Sequence, residues 1–155
     1  MRKLTGYGWT CALSVVCLAC AQDLYQQRTD TMKKHISNFY DHLQSDRVRA
    51  AILENERLEA MASTVGAEIR RDPQSLADNR VNRDWILFKT ANQAAAENWL
   101  SLGRYLAHRK RYDEARGAYR RVLRTYHGEQ FRPYLDQANA GLQDLDTIFS
   151  PTNIP

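Results

Sequence analysis

The stretch Asn82–Ala107 reads NRDWILFKTANQAAAENWLSLGRYLA. Within it Trp85, Phe88, Asn92, Ala95, Trp99, Leu102 and Leu106 recur at steps of three and four, the spacing that gathers side chains on one face of an α-helix. Asn82 offers a capping side chain at the start. At 1.5 Å per residue such a helix extends about 39 Å. Alanines 91, 94, 95 and 96 let a neighbouring helix approach closely. A helix this long with one apolar face has to be covered by others, so the stretch predicts an all-α protein built around it.

The flanking sequence supplies the partners. Asp46 to Arg71 carries Ala51, Leu58, Met61, Ala62, Val65 and Ile69 at helical spacing. Pro73 pushes Asp72 out of helical geometry and closes that helix. Its length resembles that of the Asn82 helix, which predicts an antiparallel hairpin. A shorter helix is expected over Thr31 to Leu43, with Ile36, Phe39, Tyr40 and Leu43 inward. A fourth runs from Asp113 to Tyr126 through Ala115, Tyr119 and Val122, with Gly128 ending it. Pro133 suits the first turn of a fifth, which carries Tyr134, Ala138, Leu142, Leu145 and Phe149. Only 7 Gly and 4 Pro occur in 155 residues, and no segment reads as a strand. The tail Ser150–Pro155 reads as extended.

The segment Ala96–His127, AENWLSLGRYLAHRKRYDEARGAYRRVLRTYH, resembles one tetratricopeptide repeat. Trp99, Leu102 and Gly103 match the first helix of that pattern in identity and spacing. Ala115 matches in the second, Tyr119 stands for Phe, and His127 replaces the final proline. The resemblance covers about a fifth of the chain. It implies that Gly103 and Ala115 are small where the two helices cross, with Trp99 and Tyr119 filling the space beside them. It implies one repeat, 96–127, within a larger bundle, closed by a capping helix over 131–149.

The N-terminus is of another kind. Arg2 and Lys3 precede an uncharged, mostly apolar run from Trp9 to Ala19, and small residues follow at Ala19, Cys20 and Ala21: the layout of a secretory signal. The run is shorter than the roughly 20 apolar residues of a membrane span. Two cuts compete. Cleavage before Cys20 gives residues 1–19 as the signal and resembles bacterial lipoprotein processing; Ala19 fits that pattern, whereas Leu18 is bulky and Cys17 unusual. Cleavage after Ala21 would use Ala19-Cys20-Ala21 as a small-x-small site and release a soluble periplasmic protein. Because the apolar run stops at the cysteine, the first cut is favoured. Residues 20–30 would then be a tether ahead of a single helical domain, 31–149. Ala21 after the lipidated residue implies, by that resemblance, the outer membrane. Cys11, Cys17 and Cys20 are the only cysteines, so no disulfide forms in the mature chain.

Enzyme signatures are missing: there is no glycine-rich phosphate loop, no G-x-S-x-G and no H-E-x-x-H. Neither cofactor nor metal is expected. His35 and His42, seven apart, read as solvent-facing, as do Glu54, Glu56, Arg57 and Glu59. The skewed feature is arginine. Arg104, Arg109, Lys110, Arg111, Arg116, Arg120, Arg121 and Arg124 face only Asp113 and Glu114, although the chain without Arg2 and Lys3 has 20 bases against 18 acids. Arg116, Arg120 and Arg124 form a stripe at i, i+4, i+8. It reads either as a solvated face or as a surface for an acidic protein or anionic head groups, with Arg109 and Arg111 beside it. Nucleic acid is disfavoured by the export signal and by the want of interleaved aromatics. The expectation is a non-enzymatic interaction or assembly factor of a bacterial envelope complex, attached through Cys20.

Overall fold

The computed structural model describes the backbone of residues 10–71 and 79–149, and the side chains of 24–71 and 82–148. Among the described residues five α-helices follow one another: α1 (Thr10–Gln44), α2 (Val48–Arg71), α3 (Asn79–His108), α4 (Tyr112–Thr125) and α5 (Arg132–Phe149). No strand occurs among the described residues, so the protein is all-α. The signal cleavage sites, Cys20 and the 150–155 tail lie outside the described side chains, as does Phe149.

Paired side chains show how the helices run. Arg28 meets Glu68 and His35 meets Glu54, so α1 and α2 are antiparallel. Trp99 reaches Glu59 while Phe88 lies over Gly66, which makes α2 and α3 antiparallel. Arg116 meets Asp146 across α4 and α5. By contrast Tyr25 lies under Arg83 and Tyr40 beside Ser101, so α1 and α3 run parallel. The molecule is a row of antiparallel hairpins in which α3 packs against all four other helices.

That central position explains why α3 is buried on more than one face. Ala91, Ala95, Ala96, Asn98, Trp99, Leu100, Leu102, Gly103 and Leu106 are all buried. The periodic face is confirmed from Ala95 onward and corrected before it. Trp85, expected inward, is 53% exposed, and Leu87 and Ala91 take the core positions. In that first third the described contacts of α3 are with α1 and α2, and the core positions fall one residue before the expected Phe88 and Asn92, which are half-buried.

Three boundaries differ from expectation. α1 does not begin at Thr31: its helix includes the run 20–30 expected as a tether, and from Tyr25 and Arg28 on its side chains engage α2 and α3. Nothing in Gln22–Asp30 breaks a helix, and packing extends it. α2 starts at Val48, because Asp46 takes a left-handed conformation (φ 54°) in the turn. α3 starts at Asn79, so Asn82 is not its cap. Further along, Pro133 does sit in the first turn of α5, after a 3₁₀ turn over Glu129–Phe131. Gly128, at φ 96°, makes the reversal after α4. A β-branched side chain there would be strained.

Candidate functional site

The five residues assigned to packing by the resemblance lie on α3 and α4. Trp99, Leu102, Gly103, Ala115 and Tyr119 are all buried. Tyr119 is a wedge from α4 between two glycines. A Cβ on Gly103 would lie 2.5 Å from its ring, and one on Gly141 of α5 equally close. Glycine is needed at both positions because the ring occupies the space a methyl would take. Burial raises the Tyr119 phenol above its usual range, with the Asp144 charge adding to it and Arg104 opposing. Gly141 was not foreseen, since α5 matches no repeat pattern.

The polar side chains that the sequence assigns to solvent prove to be the mortar between helices. Glu59 of α2, with 15% of its side chain exposed, accepts hydrogen bonds from Trp99 Nε1 at 2.8 Å, Tyr126 Oη at 2.7 Å and Arg121 at 2.9 Å. The Arg121 guanidinium also lies 5.5 Å from the centre of the Trp99 ring. One carboxylate thus joins α2, α3 and α4. Burial, reinforced by Glu59, drives the Tyr126 phenol far above the range in which it could ionise. Arg121 is therefore a structural cation, separate from the outward stripe.

Glu54 is likewise buried, a correction to its expected solvent position, and only Glu56 and Arg57 of that group stay exposed. His35 Nδ1 lies 2.6 Å from Glu54 Oε2, and Arg57 holds the other oxygen. His35 and His42 are half-buried rather than solvent-facing. Burial pushes the Glu54 carboxyl up, but the bonds from His35 and Asn38 and the Arg57 charge outweigh it, and the net shift is downward. Beside it, Asn98 donates to Asn55 Oδ1 at 2.9 Å, and Asn55 donates to the Ala95 carbonyl at 3.1 Å. Both amides are fully enclosed between α2 and α3. These charges and amides are bonded to one another, an arrangement suited to fixing helix register.

Two surfaces remain. Across α1, α3 and α5 runs a polar ladder: Tyr40 beside Ser101 at 3.5 Å, Ser101 and Arg104 on Glu97, and Arg104 on Gln137 at 3.2 Å. The other is the arginine stripe, which the structure divides. Arg116 is held by Asp146 at 2.8 Å. Arg111 is forked by Glu114, with Asp46 at 4.0 Å, and Arg109 lies over the Tyr105 ring. Arg120 and Arg124 are exposed and make no ion pair among the described residues. Of the five candidate contact residues, Arg111 and Arg116 are paired with carboxylates, whereas Arg109, Arg120 and Arg124 make no ion pair among the described residues.

No protein-family model, no curated protein and no solved structure matches the chain. Its class therefore rests on its own geometry, an all-α row of hairpins.

Proposed function

We propose that this protein is a non-enzymatic docking or assembly factor of a bacterial envelope complex, attached to the outer membrane by a lipid on Cys20 and facing the periplasm. One observation carries the interaction reading. The buried polar groups are spent on joining helices, whereas Arg120 and Arg124 project from a rigid helix with their charges unopposed. Such a surface suits an acidic protein partner. The tetratricopeptide resemblance gains support from the Tyr119 wedge on Gly103, from buried Ala115 and Trp99, and from the parallel run of α1 and α3.

The test is photocrosslinking in cells from a reactive residue at position 120 or 124, with position 56 as an exposed control. A single acidic protein captured from 120 and 124 but not from 56, and lost in Arg120→Glu with Arg124→Glu, is the expected result. Equal labelling from all three positions would reduce the stripe to solvated surface. The soluble alternative is kept by one feature, the small-x-small site Ala19-Cys20-Ala21.

A further inference from the structure

Three of the six large apolar side chains exposed among the described residues lie at one end of the molecule: Leu24 at 49%, Trp85 at 53% and Ile86 at 50%. They share a level because Arg83 stacks over Tyr25 and Arg28 approaches Asp84 at 3.8 Å, which fixes α1 against α3 at that height. Trp85 is further held by stacking on Phe88, ring centres 5.5 Å apart. An exposed, rigidly supported indole at the same level as two exposed aliphatic side chains is left over from the core.

We infer that this end, carried by Leu24, Trp85 and Ile86, rests in the head-group zone of the bilayer. The inference deepens the anchor reading and rests on it. Cys20 precedes Tyr25 by five residues of the same helix, about 8 Å along its axis. Trp85 lies roughly 10 Å from the cysteine by the same count. The head-group zone spans about 5–8 Å on each side of the hydrocarbon. A lipid at Cys20 therefore holds the Trp85 ring within one side-chain length of that zone, where tryptophan is favoured. The polar surroundings agree: Arg70, Arg71 and Lys89 are exposed here, while Arg28 engages both described acids of this end of α2 and α3, Glu68 and Asp84. Tethering makes even weak contacts count, because the second contact is intramolecular.

The test places an environment-sensitive fluorophore on Ile86→Cys, and for comparison on Lys110→Cys in the turn at the opposite end. Either cleavage leaves the mature chain without a competing thiol, since Cys20 is capped by lipid or removed with the signal. The full chain is processed in cells, purified and placed in vesicles of phosphatidylethanolamine and phosphatidylglycerol. Expected are a blue shift at 86 and its quenching by brominated lipid, with neither at 110. Water-like emission at both positions, on chains that float with the vesicles, overturns the inference. So does a blue shift at 86 without vesicles together with 86-to-86 cross-links, which assigns the patch to a second copy. So does a shift seen in native membranes but not in vesicles, which assigns it to another protein. Mass spectrometry of the same sample reports the anchor separately. If Cys20 carries no lipid, the same label with added vesicles still decides: immersion at 86 keeps the surface, and water-like emission removes it.

Discussion

The α3–α4–α5 contact and the α1–α2–α3 contact are built on opposite plans. In the first, the Tyr119 ring fills a slot between Gly103 and Gly141, and shape does the work. In the second, Glu54, Asn55 and Asn98 are buried with hydrogen-bond partners on neighbouring helices, half-buried Glu59 bonds α3 beside them and reaches on to α4, and bond geometry sets the register. The comparison teaches that the two halves should fail differently: the wedge to changes of volume, the polar seam to changes of charge and pH.

The largest effect is expected at the wedge. Tyr119→Ala should cost about 3–5 kcal/mol in urea unfolding, as for other buried aromatic truncations. Gly103→Ala should cost about 1–3 kcal/mol by overpacking, and much less in a Tyr119→Ala background. Equal costs in both backgrounds would break the volume account. Next comes Glu59→Ala, expected to lose about 2–3 kcal/mol because Trp99 Nε1 and Tyr126 Oη are left without an acceptor, the partly exposed Arg121 adding little. Glu59→Gln keeps an acceptor and should lose less.

Acid separates the halves further. Glu54 titrates below its usual value in the folded chain, so its stabilisation is complete above about pH 4.5 and falls away as pH drops through the lowered value. Stability of the native protein should therefore decline more steeply below pH 4.5 than that of Glu54→Gln, whereas Tyr119→Phe should follow the native curve. The smallest effect is at the stripe. Arg120→Glu with Arg124→Glu should change stability by no more than about 0.5 kcal/mol per site, as expected of exposed positions making no ion pair. A larger loss would make those arginines part of the fold.

The two plans also differ in how far they can be read from sequence. The wedge was legible because it uses aromatic and small residues at helical spacing, and Gly103, Ala115 and Tyr119 stand where that spacing asks for them. Its second slot, Gly141, sits in a helix without a motif. The polar seam was not legible: Glu54, Glu56 and Glu59 follow one another as a solvated face does, and only the packing of neighbouring helices onto α2 buries Glu54 and half-buries Glu59. Trp85 failed for the opposite reason. It continues the period of α3 past the point where enough neighbours remain to cover it. The arginine stripe was legible as a pattern, while the consumption of Arg116 by Asp146 depends on a helix thirty residues away.

The central claim, a helical docking module fixed to a membrane by Cys20, meets its most direct test in the mass of the mature N-terminal peptide from cells. The account predicts a chain beginning at a triacylated Cys20. An unmodified chain beginning at Gln22 would contradict it.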